Sequence, residues 1–148
     1  MEYLRSLIFG YPTKLVIGPR SRKSIEILSI GTSVNQQKKT SLLDYLAVIG
    51  MSLEPSLYFE LHEITGDTFT INKKDIYICL KNADDDLNTF VFVFLHELSH
   101  VICKTSQQHD EQFRATFAHL KNRAIAAGYY KVPYQTSSRI FCGKQVDL

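Results

Sequence analysis

The sequence predicts an α+β domain in which one buried helix packs on a small, mostly antiparallel sheet. Three observations predict it. Phe90 to Leu95 is apolar on every side and leads directly into His96-Glu97-Leu98-Ser99-His100; a helix apolar all round is a core helix, covered by other elements. Upstream lie three short runs with the period-two alternation of half-buried strands. On either side, apolar residues recur at helical spacing.

Taken in order, residues 1–35 read as an irregular, basic N-terminal arm. Pro12, Gly18 and Pro19 punctuate it, and Ile25 to Ile30 is its strand-like run. Residues 36–148 read as the domain itself. Leu42, Tyr45, Leu46, Ile49 and Leu53 predict a helix from about Thr40 to Met51, closed by Pro55. Leu57, Phe59 and Leu61 form the first alternating run, Phe69 and Ile71 the second, and Ile76, Ile78 and Leu80 the third. Asn72-Lys73-Lys74-Asp75 is a hairpin turn between the last two. The central helix starts near Asp86 to Asn88, whose short polar side chains suit an N-cap. A last helix is expected from about Asp110 to Ala127, with Phe113, Phe117, Leu120 and Ala124 as its buried stripe and Gly128 as its stop.

Bulk properties bound the function. At 148 residues, 45% apolar, the chain is one domain able to bury a core. Its longest apolar run, Phe90 to Leu95, is far too short for a membrane span. An acidic second residue and a broken apolar stretch do not read as a signal peptide. Cys79, Cys103 and Cys142 are odd in number and without paired spacing. They are expected to be unpaired, which places the protein inside the cell, in cytoplasm or nucleus. The net charge of +2 is unevenly spread: +5 over residues 1–40, −8 over 41–112 and +5 thereafter. This reads as solvated surface around an acidic centre, or as a basic rim of Arg20, Arg22, Lys23, Lys38 and Lys39 that meets nucleic acid.

The chemistry sits in His96-Glu97-Leu98-Ser99-His100. Histidines four apart lie one turn apart on one helix face, so both imidazoles can reach one metal ion. Glu97 then stands beside the position of a metal-activated water and can take its proton. A catalytic zinc site needs a third protein ligand and an open position. His109 is the choice, with Asp110 and Glu111 as runners-up, because the chain can turn back at Ser106-Gln107-Gln108. An oxyanion donor would come from Tyr129, Tyr130, Tyr134 or Arg139, with Tyr134 preferred and Tyr129 and Tyr130 equally readable as packing at a helix end. His62 reads as a polar strand position and His119 as solvent-facing. Three polar side chains on one turn of a core helix would cost desolvation unless something pairs with them. A metal is the simplest partner.

The segment LNTFVFVFLHELSHVICKTSQQHDEQF resembles the core of the WLM and SprT-like zinc metallopeptidases, on His96, Glu97, Leu98, His100, His109 and Phe113. Tyr134 with Phe141-Cys142-Gly143 is similar to small metallopeptidase-like proteins of large DNA viruses. The resemblance covers about residues 86–143. It implies a zincin-like fold, zinc on His96, His100 and His109, Glu97 as catalyst, and protein substrates linked to DNA. The chain departs from the family in having no Trp and no C-terminal zinc ribbon, since Cys142 is the single cysteine there. Beside an endopeptidase, two other readings stand: a zinc hydrolase of RNA or a small amide, and a non-catalytic nucleic-acid-binding module with structural zinc. An edge strand near Ile76 to Leu80 is expected to hold substrate backbone by strand addition.

Overall fold

The computed structural model describes residues 13–17, 24–27, 34–64, 67–80, 86–103, 109–133, 138–142 and 144–147. Its elements run β1 (Thr13–Ile17), β2 (Ser24–Ile27), α1 (Val34–Leu53), β3 (Phe59–Ile64), β4 (Phe69–Ile71), β5 (Asp75–Cys79), α2 (Leu87–Ile102), α3 (Glu111–Ala126), β6 (Ser138–Phe141) and β7 (Lys144–Asp147). The architecture is α+β.

The two helices that carry the site are bounded by local chemistry. The Asp86 side chain accepts from the Asn88 amide at 3.1 Å and starts α2. Cys103 ends it, donating its amide to the Ser99 carbonyl at 2.8 Å. Asp110 starts α3 by accepting from the Phe113 amide at 2.9 Å. At the other end Gly128, at φ 84°, closes a Schellman motif. There the Gly128 amide bonds the Ile125 carbonyl at 3.1 Å and the Tyr129 amide bonds that of Ala124 at 2.8 Å.

The sheet order is β2-β1-β3-β5-β4. All pairings are antiparallel except β3 with β5, which is parallel. After β3 the chain passes to the far edge as β4, then returns as β5 into the position between them. The return is a tight turn: Asn72 (φ 55°) and Lys73 (φ 52°) are both left-handed, and the Lys74 amide bonds the Ile71 carbonyl at 3.2 Å. Positive φ at both central residues is what a type I′ hairpin requires.

This order corrects the expected substrate edge. Ile76, Ile78, Cys79 and Leu80 are fully buried, because β5 is an inner strand flanked by β3 and β4. A continuous apolar run is the mark of such a strand. The edge is β4. A second correction concerns residues 1–35, expected to be irregular apart from one strand-like run. They supply two paired strands, with β1 joining β3 from Lys14 opposite His62 to Ile17 opposite Phe59. Strands this short are fixed by their partners rather than by local pattern.

The core lies between sheet and helices. Phe59 of β3 meets Phe94 of α2 at 6.0 Å between ring centroids. On the opposite side of α2, Phe92 meets Phe117 of α3 at 5.2 Å. α2 is therefore enclosed, as its all-round apolar character demands.

The C-terminal hairpin β6–β7 forms a separate two-stranded sheet. Phe141 packs edge-on against Phe90 at 5.1 Å, and Cys142 is disulfide-bonded to Cys79 of β5. The expectation of unpaired cysteines is thus wrong for two of the three. Their sequence separation of 63 hides a pairing that only the folded sheet brings together. Cys103 is buried and is not disulfide-bonded.

Candidate metal centre

α2 presents His96 and His100 one turn apart, with ring centroids 5.2 Å from each other. The chain reversal after α2 returns His109 to them, its ring 4.7 Å from that of His96 and 5.1 Å from that of His100. Asp110 is occupied in capping α3. That bond fixes where the residue before it stands. Phe113, on the first turn of α3, lies under all three imidazoles at 4.4 to 5.0 Å. The histidines thus rest on an aromatic floor between two helices.

The three rings offer nitrogen atoms that all lie within 4.8 Å of one another. His100 Nε2 and His109 Nε2 are 3.2 Å apart. In a tetrahedral zinc site with bonds of about 2.05 Å, ligand nitrogens stand roughly 3.3 Å from each other. Donor type fits one such ion, and so does the spacing of His100 and His109. The two imidazoles of α2 are also held in the ligating, neutral form. Burial first, then the neighbouring His109 and His100, pushes His96 down to about 4. Burial, His109 and Lys73 do the same to His100, also to about 4.

Glu97 stands beside the triad, with Oε2 at 4.0 Å from His96 Nε2. Its other oxygen, Oε1, accepts from the Thr70 hydroxyl of β4 at 2.9 Å. Burial pushes the Glu97 carboxyl up to about 7, against the lowering effect of the Thr70 hydrogen bond and of Lys144. A carboxyl poised near neutrality suits proton transfer in both directions.

These groups open into a cleft of about 670 Å³. Edge strand β4 forms one wall, the histidine face of α2 the base, and hairpin β6–β7 the other wall. Lys73, at the tip of the β4–β5 turn, donates to the Cys103 carbonyl at 3.1 Å. The turn is thereby tied to the C-terminal end of α2, where a cation is favourable.

The other sequence candidates fall elsewhere. Tyr130 is buried against Phe92, with centroids 6.0 Å apart, and Tyr129 packs edge-on against Tyr45 at 6.3 Å. Both are packing residues. Tyr134 and the Arg139 side chain lie outside the described residues, as do Arg20, Arg22 and Lys23. Lys39, expected in a basic rim, pairs with Glu63 at 3.0 Å. His119 is exposed.

Glu60, His62 and Asp75 make a second cluster of metal-ligating groups. Here the side chains already have partners among themselves and on Lys74. Lys74 Nζ lies 3.2 Å from Glu60 and 4.0 Å from Asp75, while His62 bonds Asp75 at 3.1 Å and stacks on Tyr77. Two residues that shape the first site escaped the sequence reading: Thr70 and Lys144. Each lies far along the chain from Glu97, and no local pattern marks either.

The fold and site together define an α+β domain with a convergent histidine triad and an adjoining buried glutamate. The chain is similar to proteins of large DNA viruses. It is 38% identical over 69 residues to uncharacterized protein 136R of Invertebrate iridescent virus 6, covering 43% of this chain and 38% of that one. With uncharacterized protein 042R of Invertebrate iridescent virus 3 it shares 40% identity over 68 residues, covering 43% and 42%. With uncharacterized protein R325 of Acanthamoeba polyphaga mimivirus it shares 30% identity over 132 residues, covering 84% and 66%. The chain thus spans about two fifths of the two iridescent virus relatives. No protein-family model and no solved structure matches it.

Proposed function

We propose that this protein is a zinc-dependent endopeptidase of zincin-like architecture, acting on protein substrates. One observation carries the reading: three imidazoles converge, their ligand atoms within 4.8 Å of one another, with a buried carboxyl beside them at the base of an open cleft. His96, His100 and His109 would hold the ion. Bound zinc would lower the pKa of water and polarise a carbonyl oxygen. The chain's own groups do the rest. Glu97 Oε2 faces the triad and receives the proton of the attacking water, then returns it to the leaving amine nitrogen. Delivery of a proton to nitrogen is the step that favours an amide over a phosphodiester.

β4 deepens the reading. Among the described residues it is the sheet edge along the cleft wall, to which an extended segment of substrate can add as a further strand. This suits a polypeptide better than a small amide. The resemblance to WLM and SprT-like peptidases adds DNA-linked proteins as the substrate class. That part rests on the resemblance alone.

The test is cleavage of an unfolded protein by zinc-loaded wild type and Glu97→Gln. The wild type should cleave it, and the variant should lose at least about 100-fold in kcat, the usual worth of general acid–base catalysis, while keeping its zinc. A variant that still cleaves at the wild-type rate would remove Glu97 from the mechanism. A wild type that cleaves RNA and no protein would replace the endopeptidase with a nuclease.

A further inference from the structure

Glu97 reaches Thr70 across 27 residues of sequence and from a different layer of the fold. The Thr70 hydroxyl lies 2.9 Å from Glu97 Oε1 and 3.3 Å from the Glu97 main-chain carbonyl oxygen. It has one proton, so it serves one acceptor at a time, and the carboxylate is the nearer and the stronger. The contact is held from both ends of the hairpin. Beyond Thr70, Lys73 is bonded to the Cys103 carbonyl. Before it, Thr68 accepts from the Cys79 amide at 3.0 Å. The Thr70 hydroxyl is therefore pinned over the motif helix.

We infer that Thr70 is a positioning residue for the proposed peptidase: by engaging Oε1 it fixes the rotation of the Glu97 carboxyl, so that Oε2 is the oxygen turned to the histidine triad. This rests on the endopeptidase reading. When Glu97 takes up a proton on Oε2, the Thr70 proton can stay on Oε1 or turn to the main-chain carbonyl, and neither position takes Oε2 out of place. Thr70 belongs to the edge strand that forms the cleft wall. Backbone that docks there is placed relative to Oε2 through one rigid strand. Carboxyl orientation is thereby tied to the strand proposed to hold the substrate.

The experiment compares Thr70→Val, which keeps the shape and strand preference but lacks the hydroxyl, with Thr70→Ser, which restores it. In the metal-free chain, the Glu97 side-chain carboxyl resonance is followed by ¹³C NMR at one pH, identified by its disappearance in Glu97→Gln. It should move in Thr70→Val and return in Thr70→Ser. In the zinc-loaded protein, Thr70→Val should lower kcat by about 10- to 100-fold, the worth of a hydrogen bond to a charged group. KM should change less than about twofold if only transition-state interactions are lost, with zinc content and circular dichroism spectrum as in wild type, and Thr70→Ser should recover the rate. An unmoved resonance, or wild-type kcat in Thr70→Val, overturns the inference while leaving the peptidase standing. A rate loss that comes with lost zinc or an altered circular dichroism spectrum also overturns it, since the role is then structural. A wild type that cleaves no protein overturns the endopeptidase reading and the positioning role with it.

Discussion

The polar residues of α2 are costly individually and useful together. Ser99 satisfies itself, donating to the Leu95 carbonyl at 2.7 Å. Glu97 does not: its buried carboxyl is displaced from an ordinary value of 4.5 to about 7. Such a displacement is a statement about stability. A carboxyl raised in the folded state contributes no penalty below its unfolded value and an increasing one as it is forced to ionise. Without metal, the wild type should therefore lose stability relative to Glu97→Gln as pH rises from 4.5 to 7, by about 3 kcal/mol in all. Paired thermal melts across this range check it. A difference in melting temperature that does not change with pH contradicts it. Much of the site was legible at this scale. The spacing of His96 and His100 is a property of any helix, and His109 follows a chain reversal that Asp110 marks by its capping type. Thr70 was not legible, because its partner lies 27 positions away in another layer.

The last two helices declared their bounds in the sequence, α1 begins at Val34 rather than about Thr40, and the strand order was not legible. The caps at Asp86 and Asp110 and the stop at Gly128 are local devices, and each is where its residue type suggests. The burial of β5 between β3 and β4 depends on which strands meet, and that depends on the whole chain. One glycine records this meeting. Gly50 lies in α1, where alanine would ordinarily be better by about 1 kcal/mol. Here a Cβ would stand 2.5 Å from Cζ of Phe59 and 3.2 Å from Cζ of Phe94. Both rings are fully buried and cannot swing away. Overpacking should therefore win, and Gly50→Ala should destabilise the fold by about 1–3 kcal/mol. Denaturant unfolding decides it, and a more stable variant would mean that α1 sits farther from the sheet.

At the scale of the molecule, the cleft is assembled from both halves of the chain. Its β4 wall precedes α2 and its β6–β7 wall follows α3, so neither half contains the site. The disulfide from Cys79 to Cys142 ties the second wall to the sheet. Closing so long a loop typically stabilises a fold by about 2–4 kcal/mol. Cys142→Ser should cost that much in chemical denaturation, and the denatured, unreduced wild type should titrate as a single thiol, Cys103. Three reactive thiols would contradict the pairing. The odd cysteine count concealed this bond, since spacing along the chain carries no information about a pair that only tertiary structure brings together.

The account stands on the histidine triad, and metal content tests it most directly. Mass spectrometry of the purified chain, prepared with zinc and without chelators, should find one zinc per molecule in wild type. His109→Ala should have lost most of it while retaining its fold by circular dichroism. Wild type without metal under those conditions would contradict the proposal at its root. Zinc undiminished in His109→Ala would contradict the triad.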